Sequence, residues 1–330
     1  MNNLLREALY NYEIMQPQIE FIRHNENKTY KIKDPILNKK YVLRIHKSSE
    51  DFSLDIFYDN KNIVNHVYEE INILNYIRDN TSIDIQIPMK NKNGHFVTLL
   101  TDGTPVTLLT WINGDTIDKV ELNEDILFKL GAMVGELHRF SKECSESKST
   151  SLYSYDKRLL KKITHKLIDG VELKIISWNQ FEIIDNAINE ISNLIDKLDL
   201  QKKSKGIVHS DLGKSNIIVR DTGEIVPIDF GLSGISYYYM DLGSLFNHFN
   251  KIEEQSLILK GYKSIIKDDI EIKYIETFMV FQIILFIATH IEKADKHKWF
   301  GSAIDRWSVD FFIPFTDNIG FIDLNLNNSK

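Results

Sequence analysis

Asp211, Asn216 and Asp229 fall within a span of nineteen residues, and their types suit one kind of chemistry. Each sits at the end of a short β-branched run. Ile207-Val208 leads into His209-Ser210-Asp211, Ile217-Ile218-Val219 follows Asn216, and Ile225 to Ile228 ends at Asp229-Phe230-Gly231. Asp221-Thr222-Gly223 supplies a turn between the last two runs, so the pattern predicts strand, loop, strand, turn, strand. That layout folds two carboxylates and one amide into a small volume. Phosphoryl transfer needs hard oxygen ligands to hold magnesium on nucleotide phosphates, and Asn216 and Asp229 are of the right type. It also needs a carboxylate to orient the acceptor hydroxyl and take its proton, a role that suits Asp211.

The spacing His-x-Asp-x4-Asn, with Asp-Phe-Gly beginning thirteen residues past the Asn, resembles the catalytic and metal-binding loops of the protein-kinase-like superfamily. Ser210 stands where a eukaryotic protein kinase would carry Arg. The stretches Asp211 to Ile217 and Ile228 to Gly234 resemble those of the aminoglycoside phosphotransferases. Only twelve residues separate Asp229 from Asp241-Leu242-Gly243, which leaves no room for a phosphorylatable activation loop, and no Ala-Pro-Glu follows. The chain therefore resembles the aminoglycoside phosphotransferase and choline kinase-like family.

The resemblance implies an α+β, protein-kinase-like fold in two lobes. Residues 1–112 would form a small antiparallel sheet lobe that binds nucleotide, and 113–330 a larger, mainly helical lobe for catalysis and acceptor binding. It implies a kinase that moves the γ-phosphate of ATP or GTP to a hydroxyl, with Mg2+ as cofactor. Asp211, Asn216 and Asp229 would be catalytic, with Asn216 and Asp229 as the metal ligands. A cationic, aminoglycoside-like antibiotic is the first expectation for the acceptor, with choline, homoserine or a sugar as metabolic alternatives, because the similarity speaks to the phosphoryl end of the reaction. A protein kinase and a nucleotide-binding regulator without turnover are the remaining readings.

The elements that must position these groups follow from periodicity. Leu4 to Ile14 predicts a short helix, and Ile19–Arg23 and Tyr30–Lys33 predict strands around a glycine-free tip, His24 to Lys28, which the resemblance places over the nucleotide phosphates. On the strand Tyr41 to His46, Val42, Arg44 and His46 share one face and Leu43 and Ile45 the other. The superfamily places a phosphate-binding lysine on this strand; here Arg44 occupies it, a planar fork in place of a point charge. A helix from Ile63 to Arg78 carries an apolar stripe at Ile63, Val67, Ile71 and Leu74. Glu70 falls roughly 60° from Val67 at 3.6 residues per turn, which makes it the expected partner of Arg44, with Glu69 solvated. Ile85–Pro88, Phe96–Leu100 and Val106–Ile112 continue the sheet, and Asn113-Gly114 suits a hinge. By the same resemblance the Thr110 carbonyl and Ile112 N–H would meet the adenine edge, while Ile218 and Ile228 close on its faces.

Helices are expected over Glu124–Phe140, Tyr155–Ile168, Trp178–Leu198, Leu242–Phe249, Gln255–Ile266, Ile270–His290 and Ala303–Phe312, with a serine-rich loop at Ser141–Ser151. His209 is of the type for a base, but the resemblance makes it a brace for the loop; Asp241 reads as a helix N-cap, to which the resemblance adds a bond to the catalytic loop. Lys214 reads either as a cation that meets a transferring phosphoryl group or as a solvated loop lysine. Asp268, Asp269, Glu271, Asp295 and Asp305 are scattered acids that could face a polycation. The net charge of −7 argues against nucleic acid or an anionic membrane surface as partner. Cys144 is the only cysteine, so no intrachain disulfide forms and a reducing, cytoplasmic setting is expected. The N-terminal segment lacks the apolar core of a signal peptide. The most apolar run, Phe278 to Ile291, reads as a buried helix.

Overall fold

The structure, a computed structural model, describes residues 3–24, 27–47, 53, 55–57, 63–143, 152–201, 204–296 and 299–324. Helix α1 (Asn3–Asn11) precedes three antiparallel strands, β1 (Gln18–His24), β2 (Lys28–Asp34) and β3 (Lys39–Ile45). Helix α2 (Ile63–Asn80), β4 (Val97–Leu99) and β5 (Pro105–Thr110) complete an antiparallel sheet of order β1-β2-β3-β5-β4. The alternation in β3 sorts its side chains as its sequence predicts. Tyr41, Leu43 and Ile45 pack into one apolar cluster with Leu5, Ala8 and Leu9 of α1. Val42 joins Val67, Ile71 and Leu74 of α2 on the opposite face. Ile85 to Ile87 does not form a ladder strand. It runs beside β5 through one bridge, Pro88 with Leu109, and through the Thr110 N–H to the Ile87 carbonyl at 2.9 Å. A proline and its extended predecessor suit that irregular edge.

Past β5 the chain turns through Gly114 into β6 (Asp115–Thr116). Helix α3 (Glu124–Glu143), β7 (Tyr153–Ser154), α4 (Lys157–Glu172) and α5 (Trp178–Asp199) come next, then β8 (Lys205–Val208), β9 (Ile217–Val219), β10 (Ile225–Pro227) and β11 (Gly234–Tyr237). Helices α6 (Tyr239–His248), α7 (Ile252–Ile265), α8 (Ile272–His290), α9 (Phe300–Trp307) and α10 (Ile313–Thr316) finish the helical lobe. Two small three-stranded sheets, β10-β9-β6 and β7-β11-β8, carry the loops between them. The stretch expected as one helix from Ala303 to Phe312 is divided: α9 ends at Trp307, and Ser308–Phe312 forms a wider π turn. Strands β6, β7 and β11 carry no alternation long enough to be read in sequence. Residues 144–151 of the expected serine-rich loop, and Cys144 with them, lie outside the described residues, and α3 runs on to Glu143.

Helix α8 is apolar all round and forms the centre of this lobe, packed on α4, α5 and α6. It is long and apolar enough to cross a membrane by length and composition, yet 78% of its most apolar window is buried inside the protein. Phe278, Phe281, Ile284 and Ile287 are fully enclosed, each worth about 1.5–3 kcal/mol of burial. Helices α3 and α7 touch backbone to backbone, because a Cβ on Gly131 would lie 1.8 Å from the Ile258 carbonyl oxygen.

Gly114 has a similar constraint at the junction. Its φ is 138°, and a Cβ there would lie 2.4 Å from the Val219 carbonyl oxygen, where β6 pairs with β9. Gly114→Ala is therefore expected to destabilise the protein by about 1–3 kcal/mol in urea unfolding. An unchanged midpoint would mean that the junction relaxes freely.

Candidate active site

The loop after β8 is held by buried charge. Asp241 accepts the His209 N–H at 3.0 Å and the Ser210 N–H at 2.7 Å, and His138 Nε2 approaches the same carboxylate at 2.9 Å. Burial alone would raise the Asp241 pKa; these donors outweigh it and hold the carboxyl below its usual range. Asp241 is not an N-cap: α6 begins at Tyr239, and Asp241 lies inside its first turn, fully buried. The side chain serves the loop instead of its own helix. Gln282 of α8 donates to the Ser210 carbonyl at 2.8 Å, which pins Ser210 at a φ of 61°. A non-glycine residue held there costs of order 1–2 kcal/mol, so the loop is strained by its anchors.

His209 spans the loop. Its Nε2–H donates to the Ile228 carbonyl at 3.0 Å, and its Nδ1 accepts the Asp211 N–H at 3.3 Å. Burial lowers its pKa, and the neutral ring fits the brace expected from the sequence. Phe230 packs on the same ring at 4.5 Å between centroids.

Asn216 Nδ2 donates to the Asp211 Oδ2 at 2.7 Å and to the Asp211 carbonyl at 3.0 Å. Those two bonds consume the amide's donors, so Oδ1 faces the other way, toward Asp229. The Ile228 N–H binds the Asn216 carbonyl at 2.9 Å, which joins the two loops across the β9–β10 hairpin. Asp229 itself has φ 67° and ψ 67°, a left-handed conformation that turns its carboxylate back toward Asn216. The three residues singled out by spacing thus surround one locus. Among the described residues no group of three or more His, Cys, Asp or Glu side chains could hold a metal ion. One carboxylate and one amide oxygen are the donor set expected where nucleotide phosphates complete a magnesium shell.

Arg44 of β3 reaches this locus from the sheet. It pairs with Glu70 of α2 at 2.6 Å, the partner that the helical wheel singled out, with Asp229 at 3.2 Å and with Gln86 at 3.4 Å. Arg44 and Glu70 are both buried, and breaking such a pair from one side costs about 3–5 kcal/mol. His66, one turn earlier on α2, places Nε2 2.8 Å from the Gly231 carbonyl and stacks on Tyr153. One face of α2 therefore positions both the β3 guanidinium and the Asp-Phe-Gly turn.

Arg23 escaped the sequence reading. Strands β1 and β2 pair through Phe21 with Tyr30, then through Arg23 with Thr29, so Ile22 is an extra residue. This bulge moves Arg23 onto the face shared by Thr29, Arg44 and Thr107. Its guanidinium pairs with Asp229 and lies 3.4 Å from Asn216 Oδ1. Strict alternation would have sent it to the other side, and no residue type in QIEFIRH announces the bulge.

His46 lies in the same wall, with Nε2 3.0 Å from Thr107 Oγ1. Burial, with Arg44 and His66 adding to it, lowers its pKa to about 3. The unfolded chain takes up a proton near pH 6.5 while the folded one does not, so stability falls as pH drops below that value. Wild-type unfolding free energy should fall between pH 7.5 and pH 5 by about 2 kcal/mol more than that of His46→Asn. Equal losses in the two proteins would show that His46 titrates normally.

At the end of β5, Ile112, Ile218 and Val226 form a small apolar cluster with Ile228 packed against it. Thr110, the last residue of β5, uses its N–H and hydroxyl on Ile87. The groups expected at the nucleotide edge, the Thr110 carbonyl and the Ile112 N–H, flank Trp111 just past β5. Residues 25 and 26 of the expected phosphate-covering tip lie outside the described residues. The Lys214 ammonium lies 4.7 Å from the centre of the Phe249 ring. Of the scattered acids, Asp268, Asp269 and Glu271 line one cavity of about 300 Å3, with Asp268 paired to Lys142, while Asp305 accepts from Gln180.

The family profile described as "Phosphotransferase enzyme family" matches residues 18–264. No curated protein sequence matches the chain. Among solved structures it is similar to an amicoumacin kinase, hAmiN, in complex with AMP-PNP, Ca2+ and Ami, at 17% identity and a TM-score of 0.73 over 98% of this chain and 95% of that one. A microcompartment-associated aminopropanol kinase aligns at 18% identity and TM-score 0.75, over 96% and 98% of the two chains. The choline kinase LicA from Streptococcus pneumoniae aligns at 16% identity and TM-score 0.62, over 94% and 97%. These likenesses establish the protein-kinase-like fold.

Proposed function

Because this chain belongs to the phosphotransferase enzyme family, we propose that it transfers the γ-phosphate of ATP or GTP to a hydroxyl of an aminoglycoside-like, cationic small molecule. The observation that carries this reading is the division of the Asn216 amide. Its donors are spent on Asp211 while its oxygen is turned toward Asp229, so the Asp211 side is left for the acceptor and the Asp229 side for the nucleotide. Asp211 orients the acceptor hydroxyl and takes its proton as the new O–P bond forms and the bond to the leaving diphosphate breaks. A magnesium ion held by Asn216 and Asp229 would neutralise charge on the β- and γ-phosphates. Arg44, fixed by Glu70, points its guanidinium at the same phosphates, and its planar fork can serve in place of lysine. Ile112, Ile218 and Ile228 offer apolar walls for the base, and the Thr110 carbonyl and Ile112 N–H its hydrogen bonds. In this reading residues 1–112 bind the nucleotide and 113–330 present the acceptor.

Amicoumacin, aminopropanol and choline are named with the similar structures, which supports testing amine-bearing acceptors first. The experiment is nucleoside diphosphate release with Mg2+ and ATP or GTP, against aminoglycosides, choline, homoserine, aminopropanol and sugars. An acceptor that stimulates release and itself becomes phosphorylated supports the proposal. Label on peptides and on no small alcohol would indicate a protein kinase. Nucleotide binding with no turnover under any condition would indicate a regulator.

A further inference from the structure

We propose that Arg23 is a built-in counter-cation, which fills the metal position between Asn216 and Asp229 and must leave when the metal–nucleotide enters. The proposal rests on the reading of Asn216 and Asp229 as the metal ligands. Both oxygens of Asp229 already face guanidinium groups, Oδ1 that of Arg44 at 3.2 Å and Oδ2 that of Arg23. The same Arg23 nitrogen, Nη2, also lies 3.4 Å from Asn216 Oδ1. One cationic nitrogen therefore bridges the two oxygens that a divalent ion would bridge.

For a metal to bind Asp229, one guanidinium must give way, and the two are held very differently. Arg44 is 3% exposed and fixed by Glu70 and Gln86 in addition to Asp229. The Arg23 side chain is 30% exposed, and among the described residues its polar partners are Asn216 and Asp229 alone. Arg23 is the group that can leave. It hangs from the strand that leads into the expected phosphate-covering tip, so an incoming nucleotide offers it phosphate oxygens as new partners. The exchange keeps every charge paired. Before it, Arg23 keeps a carboxylate in low dielectric compensated and its ligating oxygens oriented. The bulge at Ile22 is what makes this possible, since it alone sets Arg23 on the Arg44 face.

The test is Mn2+ binding to the nucleotide-free protein, followed by the electron paramagnetic resonance of free Mn2+. Arg23→Ala should bind Mn2+ with a Kd at least about tenfold lower than wild type, since a cation competitor has been removed. Arg23→Gln keeps the length without the charge and should match Arg23→Ala, provided thermal melts show both variants folded. Equal or weaker Mn2+ binding in folded Arg23→Gln overturns the proposal. Asp229→Asn separates the two readings. If Asp229→Asn abolishes Mn2+ binding while Arg23→Gln changes nothing, the ligands stand and the Arg23 proposal falls. If Asp229→Asn changes Mn2+ affinity in neither background, the ligand assignment itself falls.

Discussion

Asp211→Ala is expected to lower the turnover of phosphoryl transfer by about 10^3-fold, within the 10^2- to 10^4-fold range of a lost general base. The affinity for the metal–nucleotide should change by less than about threefold. The asymmetry follows from the local bonds. Asn216 loses the Asp211 carboxylate but keeps the Asp211 carbonyl at 3.0 Å, so its amide stays oriented and Oδ1 stays where the metal would meet it. His209 and Asp241 still hold the loop backbone. Single-turnover transfer and calorimetric binding of a non-hydrolysable analogue, measured on the same variant, check both halves. If turnover survives within a factor of ten, Asp211 is not the base. If nucleotide binding collapses with it, the residue supports the fold of the loop.

Asp229→Asn should have a comparably large effect by another route. The substitution keeps the shape and removes the charge that faces Arg23, Arg44 and the proposed cation. In the native protein burial pushes the Asp229 pKa up, and the fields of the Arg44 and Arg23 guanidinium groups outweigh it and hold the carboxyl below its usual range. The group is therefore ionised at neutral pH and available as a hard ligand. Loss of several kcal/mol of charge stabilisation corresponds to roughly 10^3-fold in kcat/KM. Here, unlike Asp211→Ala, the binding of nucleotide should lose its dependence on Mg2+. A titration of analogue binding against Mg2+ reads this directly, and a retained dependence would place the metal elsewhere.

The convergence of Asp211, Asn216 and Asp229 was legible because short β-branched runs and a turn fix the chain locally, and spacing then fixes proximity. The Arg44–Glu70 pair was legible because each residue lies on one face of a regular element, and period alone decides the face. Arg23 was hidden because a bulge breaks that period, and no residue type in β1 marks the break. Asp241 was misread as a cap, since the position of an acid near a helix start says nothing of burial, and burial lets it serve the neighbouring loop. The contact of Lys214 with the Phe249 ring was not legible either, because a flexible ammonium takes a partner that lies far along the chain. The pairings of β6 with β9 and of β11 with β7 and β8 depend on tertiary approach and leave no local pattern. The acceptor site is the least legible part, because helices whose sequence reports only their own apolar faces would have to build it.

The most direct test is a crystal structure of the protein grown with AMP-PNP and Mn2+, using the anomalous signal of manganese to locate the ion. The account predicts a peak about 2.0–2.3 Å from Asn216 Oδ1 and an Asp229 carboxylate oxygen, with phosphate oxygens completing the shell and Asp211 facing the γ-phosphate. Manganese bound away from both side chains, or Asp211 turned from the terminal phosphate, would contradict it.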